Sequence, residues 1–141
     1  MPGFRPIAFP RGRCLFGIMN IISRRAHGVL DYMMGAILIL SPVVLGLEGA
    51  ARTVPMILGL SGVLYSLCTN YELGLFKLIP FRAHLGLDLL SGLLLALSPW
   101  LFGFAERVWV PHVILGLVEV GAVVMTRTVA SEDRPMPVVR P

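Results

Sequence analysis

Charge is the scarcest commodity in this 141-residue sequence: only 14% of its residues are Asp, Glu, Lys or Arg, where a water-soluble domain carries about 25%. That leaves too little polar surface to coat a globule in water. With 56% hydrophobic residues and a mean hydropathy of +0.81, the composition is that of an integral membrane protein. Cysteine is nearly missing as well. Cys14 and Cys68 stand far apart, outside any Cys-x-x-Cys or Cys/His pattern, so neither a disulfide framework nor a zinc-binding cysteine set follows. Cys68 reads as a buried structural cysteine. Basic runs interleaved with aromatics are also lacking, and they are the footprint of nucleic-acid binding. The net charge of +4 has a plainer source, because cytoplasmic loops of membrane proteins collect Lys and Arg. Nothing resembles a phosphate loop, a nucleophile–base set or a haem-attachment motif. No cofactor, no metal and no enzymatic activity are therefore expected.

What the sequence has is long apolar runs. After a head, residues 1–23, four such segments follow at about Gly28–Leu47, Val54–Tyr71, Leu85–Ala105 and Val108–Thr126. The first, third and fourth each hold one charge (Asp31, Asp88 and Glu119), and the second holds none. At 1.5 Å per residue, segments of roughly 18–21 residues reach ~27–32 Å, one hydrocarbon thickness. They lack the alternation of barrel strands, so four transmembrane helices are expected. Pro55 and Pro111 fall in the expected first turns of helices two and four, where a missing N–H costs little. The short apolar run Cys14–Ile22 is too short to span and reads as interfacial. No small-residue cleavage site follows it and Arg24-Arg25 come next, which argues against a signal peptide. Met19 is an alternative start. The tail, residues 128–141, is polar and proline-rich and reads as disordered.

Ten of the twelve Lys and Arg (Arg5, Arg11, Arg13, Arg24, Arg25, Lys77, Arg82, Arg127, Arg134 and Arg140) lie before the first apolar segment, between the second and third, or after the fourth. Only Arg52 and Arg107 lie in the two short turns. The positive-inside rule then puts both termini and the middle joint in the cytoplasm, with the inner membrane of a prokaryote as the location. Trp100, Trp109, Phe102 and Phe104 should gather at the outer interface as an aromatic belt.

Shifted by 57 residues, the sequence matches itself. Arg25-Ala26-His27 falls on Arg82-Ala83-His84, Leu30-Asp31 on Leu87-Asp88, Gly35 on Gly92, Ser41-Pro42 on Ser98-Pro99, Gly46 on Gly103, and Ile57-Leu58-Gly59-Leu60 on Ile114-Leu115-Gly116-Leu117. Leucines match by composition, but Arg, His, Asp, glycines and Ser-Pro at one offset do not. The expected fold is an all-α membrane protein, four transmembrane helices as two tandem helical hairpins in a parallel internal duplication. The units are residues 24–71 and 82–127, joined by a cytoplasmic linker at 72–81. Both enter the bilayer in the same sense, so their pseudo-two-fold axis lies along the membrane normal, unlike the inverted repeats of many transporters.

The pattern His84-x-x-x-Asp88, then Ser98-Pro99-Trp100-x-x-Gly103, resembles the SPW-repeat family of small membrane proteins. The first unit departs from it, reading Ser41-Pro42-Val43. The resemblance spans roughly Arg25 to Arg127. It implies two helices per repeat in a bacterial or archaeal membrane and carries no biochemical activity with it.

Five residues form the candidate polar site: His27, Asp31, His84, Asp88 and Glu119. Each His/Asp couple is an i, i+4 pair on one helix face. One reading is a helix-start cap, the carboxylate favoured by the helix dipole and Arg25 and Arg82 touching headgroups. The other is a proton-accepting pair. Two His and two Asp are also a metal-ligand set, but each same-helix pair lacks partners that sequence can place. Glu119 lies about seven residues, ~10 Å, from its helix end. An ionised group there costs at least ~2–3 kcal/mol unless paired or wetted, so a bond to His84 or Arg82 is expected. Each helix is expected to continue through Pro42 or Pro99 with a kink, the serine hydroxyl serving the freed backbone. Gly92-x-x-x-Ala96 and Gly62-x-x-x-Ser66 are candidate close helix contacts.

Three function classes remain. The foremost is a structural or assembly module, with the lipid bilayer and a second copy of the chain or another membrane protein as partners. The alternative is a conduit or sensor for protons, ions or a small solute, using the His/Asp/Glu cluster. An intramembrane enzyme comes last.

Overall fold

The computed structural model describes residues 21–127, which form four helices: α1 (Arg24–Val44), α2 (Ala50–Leu67), α3 (Phe81–Leu101) and α4 (Val110–Met125). Among the described residues no strand forms. The apolar run from Cys14 and the polar tail lie outside the described residues, apart from Ile21 and Ile22. Helices α1, α2 and α3, with 21, 18 and 21 residues, are long and apolar enough to cross a membrane. Helix α4 is shorter than its apolar segment suggested. Its 16 residues reach ~24 Å against a hydrocarbon thickness of ~30 Å.

The first three helices begin ahead of their apolar runs, at Arg24, Ala50 and Phe81 rather than near Gly28, Val54 and Leu85. Hydropathy marks the stretch that suits hydrocarbon, while the backbone helix also takes in a polar first turn. Ser23 caps α1 by accepting a hydrogen bond from the Ala26 N–H. Pro55 consequently lies inside α2 instead of in its first turn, whereas Pro111 does sit at the start of α4.

Helices α1 and α3 each continue through the Ser-Pro motif, as expected, and the motif lies in the last turn. α1 stops at Val44 and α3 at Leu101, two residues past each proline. Gly46 and Gly103 then take positive φ, +62° and +67°. The Leu47 N–H bonds back to the Pro42 carbonyl and the Gly46 N–H to Val43. Phe104 and Gly103 do the same to Pro99 and Trp100. These are Schellman stops, in which the left-handed glycine lets two successive N–H groups fold back onto the last turn. Pro99 has no N–H to give the Leu95 carbonyl, and the Ser98 hydroxyl donates to that oxygen instead at 2.7 Å.

Phe104 does not join an aromatic belt. As the residue after the stop glycine it folds inward, is 1% exposed, and packs on His112 with ring centroids 4.9 Å apart. Trp100, Trp109 and Phe102 do stay exposed, the two indoles 6.4 Å apart.

α1 packs chiefly on α2 and α3 on α4, with thinner contacts between α2 and α3 and between α1 and α4. Each tight pair crosses at two glycines. A Cβ on Gly59 would lie 2.8 Å from the Gly35 carbonyl oxygen, and one on Gly92 3.0 Å from that of Gly116. Ala96 belongs to the second crossing, which lies within the chain. Gly62 belongs to neither, and a Cβ there would meet only Tyr65. The ring of helices closes through backbone. Ile21 and Ile22 N–H groups donate to the Met125 carbonyl and Arg127 to Ile22, while Leu78 and Ile79 donate to Cys68 and Asn70 to Ile79. Cys68 thus caps α2 at intermediate burial, and the expectation of a buried cysteine fails because its backbone is used at a surface joint. Large apolar side chains such as Leu40, Leu60, Leu90 and Leu117 point outward, the pattern of a lipid-facing surface.

Candidate functional site

The two His/Asp pairs, on helices from different tight pairs, meet in the interior. His27 Nε2 lies 3.0 Å from Asp88 Oδ2 and 3.4 Å from Asp31 Oδ1. His84 Nε2 lies 3.0 Å from Asp31 Oδ2 and 3.0 Å from Asp88 Oδ2. Both imidazoles are sealed from the surface, at 1% and 0% exposure, and the Asp88 and Asp31 side chains are 5% and 10% exposed. The helix-start cap is therefore not what these residues form. Asp31 and Asp88 turn sideways across the bundle, and each histidine touches both carboxylates. Arg25 and Arg82 do stay exposed. The quartet sits one to two turns inside the end of the bundle that carries them.

Each imidazole is fixed from behind. His27 Nδ1 is 2.8 Å from Thr126 Oγ1, and His84 Nδ1 is 2.9 Å from Thr69 Oγ1. Both threonine hydroxyls already donate their one proton to a carbonyl four residues back, Ala122 at 2.6 Å and Tyr65 at 2.7 Å. A hydroxyl has a single proton, so each threonine can only accept from its histidine. Both rings therefore carry a proton on Nδ1 and turn Nε2 toward the carboxylates.

Residues 25–126 match the SPW repeat domain. The chain belongs to the SPW repeat family. No curated protein and no solved structure matches it. In this SPW repeat protein the motif serines and prolines end α1 and α3 at one end of the bundle, and the His/Asp quartet occupies the other.

Two tyrosines bring further donors to the carboxylates. The Tyr65 hydroxyl donates to Asp88 Oδ1 at 2.7 Å, and the Tyr71 hydroxyl points at Asp31 Oδ2 from 3.4 Å. Tyr71 lies in the joint between α2 and α3, its ring over Gly28 and against His84. Burial, with the Asp31 carboxylate alongside, pushes its phenol well above the ordinary tyrosine range, so it remains a donor. On the surface side, Arg24 lies over the Phe81 ring at 4.8 Å, and Phe81 stacks on His84.

Glu119 does not reach His84 or Arg82. Its Oε1 accepts from the Ser91 hydroxyl, one turn beyond Asp88, and its Oε2 is buried with no partner among the described residues. It faces α3 because α3 and α4 close on each other at Gly92 and Gly116, which brings its Cβ side against Gly92. Two cavities border it. One of about 160 Å³ lies between α1 and α4 and is lined by His27, Asp31, Asp88 and Glu119 with Leu30 and Ile37 among the apolar residues. The other, about 30 Å³, adjoins Asp31, Asp88, Tyr65 and Glu119 from the α2 side. Each exceeds the roughly 10–15 Å³ that a water molecule needs.

The residues that complete the site, Thr69, Thr126, Tyr65, Tyr71 and Ser91, do not stand out in the sequence. The threonines were within reach, because Thr69 and Thr126 are separated by the same 57 residues as His27 and His84. The tyrosines and Ser91 have no such counterpart. A third histidine, His112, lies at the opposite end, 2% exposed, and donates from Nε2 to the Ala51 carbonyl at 2.9 Å.

Proposed function

We propose that this membrane protein is a cation conduit or sensor, with the His27/Asp31/His84/Asp88 quartet as its binding centre and Glu119 on the approach. The observation that carries the reading is the convergence of two Nε2 atoms and two carboxylates in a closed interior, each ring held at Nδ1–H by a threonine. Buried ionisable groups are costly in a bilayer and concentrate where ions or protons are handled. The cavity at the thin seam between α1 and α4 is lined by Glu119, Asp88, Asp31 and His27 together. No bond-making chemistry is assigned, and the reading is non-enzymatic. The charge count in the loops supports a cytoplasmic position for the quartet end, in the inner membrane of a prokaryote.

A second reading, a purely structural module that pairs with lipid, a second copy or another membrane protein, has one observation in its favour. The quartet joins α1 to α3, helices from different tight pairs, and would serve as a clasp between them.

Liposomes reconstituted with purified protein separate the two. The conduit or sensor reading expects an ion or proton flux, or a cation-linked conformational signal, that Glu119→Gln removes while the protein stays helical and monodisperse. A protein with no such response, in which Glu119→Gln is silent and Gly92→Leu destroys assembly, would be the structural module.

A further inference from the structure

Resting on the cation-binding reading, we propose that His27, Asp31, His84 and Asp88 are the ligands of a single divalent first-row transition-metal ion of the zinc class. The one-ligand-atom-per-residue set, two imidazole nitrogens and two carboxylate oxygens, lies within 4.8 Å of itself throughout. Zinc-to-nitrogen and zinc-to-oxygen bonds of about 2.0–2.2 Å place tetrahedral ligands roughly 3.3–3.6 Å apart. Three nitrogen–oxygen separations are 3.0 Å and need only a small expansion to reach that spacing; His27 meets Asp31 at Oδ1, 3.4 Å away, whereas His84 meets it at Oδ2, so a small turn of the Asp31 carboxylate lets one oxygen serve both.

Three further features fit an ion. The first is the tautomer. With Nδ1–H committed to the threonines, a neutral Nε2 would set its lone pair against carboxylate lone pairs at 3.0 Å. An ion among the four turns that repulsion into coordination. The second is the outer shell. A metal-bound histidine almost always gives its other N–H to an oxygen, and here Thr126 and Thr69 receive it, while Tyr65 donates to the outer oxygen of Asp88. The third is charge. Two carboxylates, two neutral imidazoles and one divalent ion sum to zero, which suits a site at 10% exposure or less inside a bilayer; a monovalent ion leaves the site negative. Nitrogen donors and four-fold coordination disfavour Ca²⁺ and Mg²⁺, which take six or more oxygens.

The test is Co²⁺ binding to the full-length protein in detergent after chelator treatment, followed by visible absorption and metal analysis. Expected are the intense d–d bands of tetrahedral Co²⁺ at about one ion per chain, displaced by Zn²⁺. Asp88→Asn should abolish the bands. Because that variant could lose the fold, Thr126→Val is the second probe: the ligands remain and affinity falls about 10–100-fold. A folded wild type that takes up neither Co²⁺ nor Zn²⁺, or a Co²⁺ spectrum unchanged in Asp88→Asn, overturns the proposal. Proton flux through a protein that binds no metal would overturn the metal site and keep the conduit; bound metal with no flux or linked signal would do the reverse.

Discussion

His112 donates its Nε2 proton to the carbonyl oxygen of Ala51, 2.9 Å away. That carbonyl is the one Pro55, four residues on, would have bonded had it an N–H. A proline in α2 is thus completed by a histidine in α4, and residues 55 and 112 are themselves 57 apart. Replacing His112 by Leu should leave the carbonyl buried and unpaired, at a cost of about 1–3 kcal/mol. Pro55→Ala restores the backbone bond, so the double variant should recover most of the loss. Thermal unfolding of the four proteins in one detergent measures the cycle.

Ser98 plays the same part for Pro99 within one helix. Ser98→Ala should cost about 1 kcal/mol by unfolding, with Ser98→Thr recovering part of it. The loss should leave cation binding intact, because the motif is at the far end of α3 from the quartet.

The glycines divide sharply. A Cβ on Gly116 would lie 2.6 Å from the Ala96 backbone nitrogen and 2.8 Å from its Cβ. Gly116→Ala should therefore push α3 and α4 apart and destabilise by about 1–3 kcal/mol. Gly62 has only Tyr65 nearby, its hydroxyl 3.7 Å from the Cβ position. Gly62→Ala should be neutral or stabilising by up to ~1 kcal/mol, through the lower entropy of the unfolded chain.

Tyr71 gives a pH prediction. Its phenol is held above the ordinary value, about 10, by burial and by Asp31. The fold therefore favours the neutral form, and the stability Tyr71 contributes is full below pH ~10 and declines as pH rises past it. Unfolding measured between pH 8 and 11 should show this decline in the wild type and a weaker one in Tyr71→Phe.

The amount legible in the sequence varied with the physics behind each feature. Helix number and membrane class rest on long apolar runs, which need no tertiary context. Hydropathy places the first three helix starts about a turn late, because first turns such as Arg24-Arg25-Ala26-His27 carry polar residues yet are helical. His27, Asp31, His84 and Asp88 were visible as residues, since charge in an apolar run is conspicuous. Their meeting was not, because i, i+4 spacing speaks only of one helix. Sequence alone points Glu119 to the wrong partner for the same reason: the glycine crossing that aims it at Ser91 is a property of two helices.

The backbone pairing at Ile22 and Met125 repeats, bond for bond, the pairing at Ile79 and Cys68. At one of these junctions the chain runs on from helix to helix, and at the other it does not. Peptide connectivity is thus a detail the junction tolerates either way. A permuted chain, opened within 72–77 and rejoined from 127 to 21 by a short linker, should fold to the same bundle. Two separately expressed halves should find each other in the bilayer.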